Sequence, residues 1–555
     1  MTGHIQVGTD GFYHPTAESE LVELIRWARA EGLQLRVRGA GHTFPPGAIL
    51  TDHGPGSSPR EINLLLDRYR SVEWLDRPNG ILRAQAGCHL SVDPYDPLSR
   101  LENGLLAYLD EAGFALPTLG GISHQTVAGF LSTGSSGGTV KYHISDAVLE
   151  IRLIDGTGKI WELSRQNNPD LFHAAGVSMG LLGVISSVTF QGVPRFNIEG
   201  QEAITGYSDC KVDLFGSGGA GRPSLEQWLR EIEEGRILWW PQKGLERLVV
   251  WEAQRIPWQP GFEPQPYQEL GANAEISGVL AGVLLTLLGN LDDLRVVPAK
   301  LRPVFVQLDR SVQDELEQLG LPEAAATALA ELLSRILEAG ADGVLDFPGM
   351  KLVAHEVRKH LASIIPALYR LFVPLDRDAR KGQPQTFRDF GWHGLPMDNG
   401  VDDQLLPSWF SELWFPLERM GEVVRTLKQH FEAGGLAATG TYSFEIYTSK
   451  KNDFWLSPSF GDQDHGRVNI FWFAHNAGDP NVFYDQFWRL LEPLGFRLHW
   501  GKFLPPDPAP AKHWARYFRS RYPRWDDFLA LRRELDPSAV FLTQYWREHL
   551  GLEAA

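Results

Sequence analysis

Two glycine-rich stretches decide how this sequence is interpreted: RVRGAGHTF at residues 36–44 and LGGISHQTVAG at residues 119–129, which continues as STGSSGG at residues 132–138. Segments typical of β-strands flank both stretches. Glycine and other small residues leave consecutive backbone N–H groups accessible, and such loops can hold a diphosphate without much positive charge. Two loops of this kind in one unit predict a phosphate-bearing cofactor, with a pair of tight turns as the structural alternative.

The composition limits the class of protein. The chain has 555 residues, enough for about two to four domains. Its 52 basic and 69 acidic residues give a net charge of −17, which disfavours a nucleic-acid partner. Two cysteines, Cys88 and Cys210, are too few for a disulfide framework or a cysteine-based zinc site.

The sequence also bears on location. Residues 1–10 lack the charged start and apolar stretch of a secretory signal. The most apolar run, Val279–Leu288, has about ten residues, against the roughly 20 that span a bilayer. We therefore expect a cytoplasmic protein with no transmembrane segment, and export by another route stays open.

The pattern of elements divides the chain in two. Residues 1–195 predict one α+β unit with mixed strands, including a strand at 33–38 and a helix over 98–112. Residues 196–495 predict a second unit built on strands, with a helical insertion at about 272–372. The fold class is therefore α+β with two domains.

Three short motifs lack the context that their usual functions require. Gly39–Phe44 begins like a dinucleotide fingerprint, but the third glycine is missing and Pro45–Gly47 stands where the helix should begin. Gly176–Gly180 matches the hydrolase elbow, but a helix precedes it and a strand follows, the reverse of the required order. No metal is predicted, since neither helical spacing nor a carboxylate motif accompanies the possible ligands His42, His124 and His143.

The order of the segments resembles the FAD-binding domain of the vanillyl-alcohol oxidase/p-cresol methylhydroxylase (PCMH) type, since both loops are followed by Asp170–Phe172 and Gly183–Ile185. The C-terminal half is similar to the sugar-1,4-lactone (aldonolactone) and alditol oxidase branch of these FAD-linked oxidoreductases. The residues that carry this second similarity are Phe444–Tyr447, Trp455–Pro458, His499–Phe503 and Asp536–Phe541. Arrangement and length are also similar to type II cholesterol oxidase.

The resemblance implies a two-domain flavoprotein. Residues 1–195, completed by residues 496–555, would form a PCMH-type FAD-binding domain. Residues 196–495 would form a substrate-binding domain with an antiparallel sheet and the helical insertion.

The resemblance implies FAD as cofactor, attached covalently through His42, with a non-covalent histidine closing the loop as the alternative. An imidazole substituent withdraws electrons and favours hydride acceptance. Ile122 and Ser123 stand where berberine-bridge-type members have a linking cysteine, so a second attachment is not expected. The implied cofactor-binding residues are Arg38, Gly39, Ala40, Gly41, His42, Thr43, Phe44, Gly120, Gly121, Thr126, Val127, Ala128, Gly129, Thr133, Gly134, Ser136, Val184 and Lys502.

The resemblance also implies catalytic residues. Glu445 and Tyr447 are two apart on a predicted strand and share one face. The family pattern has an arginine at the second position, so Tyr447 is expected to remove a fixed cation, which weakens the case for a sugar lactone or polyol. Glu445, with Tyr447 or His499, would accept the hydroxyl proton, and Lys502 would stabilise the reduced flavin. Glu412 is either a second catalytic carboxylate or a solvent-side strand residue.

We expect an alcohol oxidase that passes a hydride to FAD and uses O2 as final acceptor, giving H2O2, with small residues at Ala128–Gly129 permitting oxygen access. The substrate is of the sugar-lactone or polyol type, or a larger, less polar alcohol if the insertion forms an apolar cap rather than simply packing on the sheet. The alternatives are a dehydrogenase with a quinone or protein acceptor, a flavoprotein without turnover, and an oxidative-cyclisation enzyme. The sequence does not indicate the oligomeric state.

Overall fold

The computed structural model describes residues 6–56, 61–269, 274–302, 321–340, 342–376, 383–400, 406–507 and 512–552. It contains one sheet of five strands, one of eight and two two-stranded pairs, with helices beside them, which confirms the α+β class. Within the described residues no helix is both long and apolar enough to cross a membrane.

The first half of the fold holds the glycine-rich loops. Its strands are β1 Gln34–Arg38, β2 Glu61–Leu65, β3 Val72–Asp76, β4 Ile81–Gln85, β5 Phe114–Ala115, β6 Val148–Ile154, β7 Ile160–Ser164, β8 Val184–Gln191 and β9 Val193–Pro194. β1 and β2 form a parallel pair, and β3, β4, β8, β6 and β7 form an antiparallel sheet in that order. β5 pairs with β9.

The second half is built on one antiparallel sheet of eight strands. The strands are β10 Phe196–Gly206, β11 Glu234–Trp240, β12 Arg247–Pro257, β13 Gln385–Phe390, β14 Ser408–Pro416, β15 Phe444–Ser449, β16 His465–Phe473 and β17 Arg497–Leu498. Their order across the sheet is β13-β10-β12-β11-β15-β16-β14-β17.

Helices Met420–Gly434 and Pro480–Leu491 cover one face of this sheet. The rings of Trp239 and Phe444 lie 5.1 Å and 4.7 Å from the ring of Phe431. Because side chains alternate along a strand, the neighbouring residues of β11 and β15 point to the opposite face, toward the glycine-rich loops. We call this opposite face the cavity face.

The helical insertion is confirmed where the structure describes it, and residues 303–320 lie outside the described residues. Its helices share an apolar core with Trp240 and Val249 of the sheet. They are Ala274–Leu288, Val297–Leu301, Glu323–Ala339, Met350–Lys359 and Leu361–Phe372.

The C-terminal segment returns to the first half of the fold. Val540 and Phe541 share an apolar core with helix Glu18–Glu31, and the carbonyl of Val540 accepts a 2.8 Å hydrogen bond from Leu35. The predicted domain boundaries stay predictions. Helices here are His513–Arg521, Trp525–Leu535 and Gln544–His549.

One predicted helix is shorter than expected. The segment 98–112 contains a helix only over Leu105–Glu111, after a short 3-10 turn at Leu101–Asn103. Gly104 interrupts it with an extended backbone (φ −82°, ψ 145°). The other α-helices of the described residues are Pro46–Ile49, Val127–Ser132, Pro169–Gly176, Leu225–Glu231, Gly391–Gly394 and Leu436–Thr439.

Candidate active site

Two adjoining cavities lie where the glycine-rich loops meet the cavity face. The loop cavity, of about 130 Å³, is lined by both loops and by Trp500 and Phe541 from the C-terminal segment. The sheet cavity, of about 510 Å³, extends along the eight-stranded sheet to the helical insertion. His42, His499 and Lys502 line both cavities.

Several glycines of the two loops lie where side chains would not fit. A Cβ at Gly39 would come within 2.7 Å of the Thr126 hydroxyl, and one at Gly137 within 2.5 Å of the Leu119 carbonyl. Gly41 has φ +89°, which residues with a Cβ rarely adopt. The loop cavity is therefore walled largely by backbone, the environment predicted for a cofactor with a diphosphate.

Most of the predicted cofactor-binding residues line one of these cavities. Val127 and Gly134 line neither, because Val127 packs into the apolar core and Gly134 lies against Pro458; loop spacing alone does not show which residues turn inward. The loop cavity is lined by Arg38, Gly39, Ala40, Gly41, His42, Thr43, Thr126, Ala128, Gly129, Thr133, Val184 and Lys502. The sheet cavity adds Phe44, Gly120, Gly121 and Ser136.

His42 has the properties of a nucleophilic imidazole. Burial, together with the charge of Lys502, lowers the pKa of His42 to about 3, so the ring is neutral near pH 7. Its Nε2 is buried and has no hydrogen-bond partner among the described residues. A buried polar atom without a partner costs about 1–3 kcal/mol, so this nitrogen fits a position that a cofactor occupies.

Arg36 is a loop-cavity residue that the sequence reasoning missed. Its guanidinium is buried and donates to the carbonyls of Met179 (2.7 Å) and Phe541 (3.1 Å), and it also binds the carbonyl of Ala48. It thereby ties β1 to the C-terminal segment beneath the first loop. Arg36 and Arg38 are two residues apart on the same strand, so the strand pattern did not show that Arg36 is the buried one.

On the cavity face, antiparallel pairing brings distant residues into two adjacent rungs, and directly opposed residues share a face. We call the first the charged rung; across the sheet it contains Glu202, Trp251, Arg236, Tyr447, Arg467 and Trp414. We call the second the mixed rung; it contains Ile204, Val249, Leu238, Glu445, Asn469 and Glu412.

Glu445 lies at the centre of the mixed rung and is 3% exposed. Asn469 donates to its carboxylate at 2.6 Å, and Arg236 lies 3.5 Å away while also binding Asp398. Burial raises the pKa of Glu445 to about 7; Asp398 adds to the rise and Arg236 opposes it. Near neutral pH this carboxyl can therefore exchange a proton readily.

The expectation that Tyr447 removes a fixed cation is wrong. Arg467, from the neighbouring strand, stacks its guanidinium 3.6 Å above the Tyr447 ring. It also binds Glu412 at 3.1 Å and the Ser136 carbonyl at 2.7 Å. The sequence of one strand does not show a cation that the neighbouring strand supplies. Tyr447 is therefore no longer an argument against a polar substrate. Glu412 is 3% exposed and is not a solvent-side residue.

Sequence reasoning missed Arg236, Arg467, Asn469 and Asp398. Three of them carried a signal, because they are charged or amide residues inside the apolar strands EGRILWW (234–240) and HGRVNIFWF (465–473). Polar side chains in such strands are costly unless they are paired, so they mark a site. Asp398 lies in a loop and carried no such signal.

Lys502 is fixed where the two cavities meet. Its ammonium donates to the His42 carbonyl at 3.3 Å and lies 4.3 Å and 4.1 Å from the ring centres of Phe44 and Phe410. These contacts hold a cation beside His42, and the role that the resemblance implies for Lys502 toward the flavin stays a prediction.

His499 is a neutral hydrogen-bond donor at the same junction. Its Nδ1 accepts the N–H of Gly501 at 3.1 Å, which leaves the proton on Nε2, 3.3 Å from the Ser135 hydroxyl. Burial lowers the pKa of His499 to about 4. A ring with its one lone pair already engaged is poorly placed to accept a proton.

The remaining motifs stay without a function. Helix Pro169–Gly176 precedes the elbow-like segment 176–180 and β8 follows it, as the sequence predicted. Among the described residues no group of three or more His, Cys, Asp or Glu side chains could hold a metal ion.

Two protein families match this chain, one in its N-terminal part and one in its C-terminal part. Residues 9–164 match the FAD binding domain family, and residues 359–549 match the D-arabinono-1,4-lactone oxidase family. Both matches support a place among the PCMH-type FAD-linked oxidoreductases, in their aldonolactone oxidase branch. The predicted resemblance to this branch is thereby confirmed, whereas the bounds predicted for the FAD-binding domain stay a prediction.

Several curated members of this branch are similar to the chain. A putative D-arabinono-1,4-lactone oxidase of Neurospora crassa is 31% identical over 44% of this chain and 38% of that protein. Mouse L-gulonolactone oxidase is 28% identical over 41% of this chain and 45% of its own length. The chain thus spans less than half the length of these relatives. A Mycobacterium tuberculosis L-gulono-1,4-lactone dehydrogenase is 22% identical over 97% of this chain and 95% of its own.

The flavoprotein fold is also found in a solved structure. Cholesterol oxidase from B. sterolicum superposes with a TM-score of 0.63, covering 97% of this chain and 93% of that one at 14% identity. At this identity the likeness concerns the fold alone, and it confirms the expected similarity to cholesterol oxidase.

Proposed function

We propose that this flavoprotein oxidises a CH–OH group of a small-molecule alcohol to a carbonyl, with FAD as hydride acceptor and O2 as final acceptor. The observation that carries the proposal is that Glu445, Lys502 and His42 line one cavity although they are remote in sequence. Relatives named as lactone oxidases and a lactone dehydrogenase support the class of reaction.

The residues of the loop cavity fit FAD. The backbone around Gly39, Gly41 and Gly129 would hold the diphosphate, and His42 would form a covalent bond to the flavin through its unpartnered nitrogen. When bound, FAD supplies a two-electron acceptor for a hydride.

Glu445 is the proposed general base. As the substrate carbon loses its hydride, the hydroxyl proton passes to the Glu445 carboxylate, so that one hydride and one proton leave the alcohol. Tyr447 is unsuited to this step, because burial raises the pKa of its phenol well above the ordinary value. His499, whose Nδ1 is engaged by Gly501, would donate a hydrogen bond instead. The fixed charge of Lys502 would stabilise negative charge that develops nearby.

The final acceptor distinguishes two candidate activities. With O2, one alcohol and one O2 give one carbonyl compound and one H2O2; Ala128 and Gly129 border the loop cavity with small side chains, which supports oxygen entry. The dehydrogenase alternative rests on the Mycobacterium tuberculosis relative. Oxygen uptake and dye reduction, measured with the same alcohol in the purified holoprotein, separate the two: dye reduction without oxygen uptake would overturn the oxidase proposal.

The covalent bond has a separate test. We expect the acid-precipitated wild-type protein to stay yellow and the His42→Ala precipitate to be colourless. The matched control is His499→Ala, which removes another buried, neutral histidine from the same junction and should leave the precipitate yellow. A colourless wild-type precipitate would exclude the bond.

A further inference from the structure

We infer that the sheet cavity selects an amphipathic alcohol, whose hydroxyl-bearing end lies among the charged residues and whose bulky apolar body lies beneath the helical insertion. This inference rests on the proposed function and names the substrate class for the same site.

The first observation is a polarity gradient along the strands of the cavity face. Successive inward-facing residues of β11 are Arg236, Leu238 and Trp240, and all three line the sheet cavity. The same order, charged before apolar, holds on β10 for Glu202 and Ile204. One end of the cavity is therefore charged and the other apolar.

The second observation is that the helical insertion closes over the apolar end. Ala281, Leu285, Tyr369 and Val373 of the insertion line the sheet cavity, and the ring of Tyr369 lies 4.4 Å from that of Trp240. The insertion thus forms an apolar wall of the cavity and also packs on the sheet. The sequence left these two roles open as alternatives, and the insertion has both.

The third observation concerns the polar atoms at the apolar end, which include the hydroxyls of Tyr369, Tyr442 and Ser443 and the indole N–H of Trp240. The Tyr369 hydroxyl is already engaged, because it donates to the Thr441 carbonyl, and the Tyr442 hydroxyl is hydrogen-bonded to Ser408. The indole N–H of Trp240 is buried and has no partner among the described residues. Each substrate hydroxyl placed there without a partner would weaken binding by about tenfold.

The sheet cavity extends beyond the residues assigned to the cofactor. Its volume of about 510 Å³ includes the space beside His42 and Lys502 that the flavin would share, and the rest extends to the insertion. A polyhydroxylated lactone could satisfy its hydroxyls near Glu445 and Lys502 but would leave the apolar end empty. An alcohol with one polar end and an apolar body fills both ends.

The test compares two series of substrates with the holoprotein. We expect kcat/KM to rise about threefold per methylene from butan-1-ol to decan-1-ol, and to exceed kcat/KM for D-arabinono-1,4-lactone and L-gulono-1,4-lactone. The alkan-2-ones, which have no hydroxyl to oxidise, should bind with the same dependence on chain length in isothermal titration.

A pair of variants locates the effect at the apolar end. Leu285, on helix Ala274–Leu288 of the insertion, lines the apolar end of the sheet cavity. Leu285→Gln should weaken decan-2-one binding at least tenfold and flatten the dependence on chain length, whereas the matched control Leu285→Met should keep both. If Leu285→Gln does not fold, the chain-length series with the wild type still decides.

The outcomes separate this inference from the proposed function. Fast turnover of the lactones together with no effect of chain length would overturn the inference and leave the proposed function standing. If neither series reduces the flavin, the proposed function fails. In that case, alkan-2-one binding that rises with chain length would support an apolar ligand site without turnover. Binding that does not change with chain length would overturn the apolar site as well.

Discussion

The glycine-rich loops and the cavity face of the eight-stranded sheet form opposite walls of one site, and they are built in different ways. The loop wall is mostly backbone from short, continuous segments, where a Cβ at Gly39 would already meet Thr126. The sheet wall is made of side chains such as Arg236 and Glu445, which come from different strands and meet only through pairing.

This difference shows why two kinds of function reside on the two walls. A backbone wall can hold a cofactor of fixed shape with little dependence on side chains. A wall of cross-strand side chains can set the pKa of a base and the polarity of a substrate pocket, because each residue is tuned by neighbours on other strands. Substitutions should therefore separate cofactor retention from turnover.

The largest expected effect is on the sheet wall. Glu445→Gln should lower kcat about a thousandfold, because the amide cannot accept the substrate proton, while flavin content stays unchanged. Steady-state kinetics and the flavin-to-protein absorbance ratio measure the two quantities. The matched control is Glu234→Gln, a buried carboxyl on β11 paired with Arg255 at 2.8 Å and outside the sheet cavity. Equal losses in the two variants would contradict a specific role for Glu445.

A substitution in the loop wall should have the opposite effect, namely a loss of bound flavin without a loss of turnover in the molecules that keep it. In Gly39→Ala the new Cβ would lie 2.7 Å from the Thr126 hydroxyl, and crowding of about 1–3 kcal/mol should reduce the fraction of protein with bound flavin by about tenfold. Molecules that retain flavin should turn over normally. Gly206→Ala, where a Cβ would have no neighbour within 4 Å, is the control, and an equal loss of flavin there would break the comparison.

Asp398 should act on the pH profile through its negative charge near Glu445. The base form of Glu445 dominates above its pKa of about 7, so kcat should rise with pH through that region. Asp398→Asn removes a negative charge that raises the pKa of Glu445, so the rising limb should move to lower pH by about one unit. A fall in kcat at every pH with no change in the midpoint would indicate a structural role only.

The smallest effect is expected at Tyr447. Tyr447→Phe keeps the ring under the Arg467 guanidinium and loses only the hydroxyl, which lies 3.4 Å from the Asn469 amide. We expect kcat/KM to change less than threefold, the value of a weak hydrogen bond. A loss of a hundredfold or more would assign the hydroxyl a direct part in the reaction and would require the order of importance on the sheet wall to be revised.

The two walls were predicted to different depths. The sequence predicted the loops, His42 and the position of Lys502, because their residues are consecutive or match a family motif. It also indicated Glu445 and Glu412. It missed Arg236. It also predicted, wrongly, that Tyr447 leaves this position without a fixed cation, which Arg467 supplies.

What the sequence by itself determined is the class of protein: an acidic α+β flavoprotein with two glycine-rich loops, a histidine closing the first loop and a carboxylate on an inner strand. These features are local, so consecutive residues and, for the flavin, their resemblance to a family motif suffice to recognise them. Only the tertiary structure decided which cations surround Glu445, that Val127 turns into the core, and that the sheet cavity is charged at one end and apolar at the other. Those properties depend on strand register and on where the insertion packs, which are long-range contacts that no short stretch of sequence encodes.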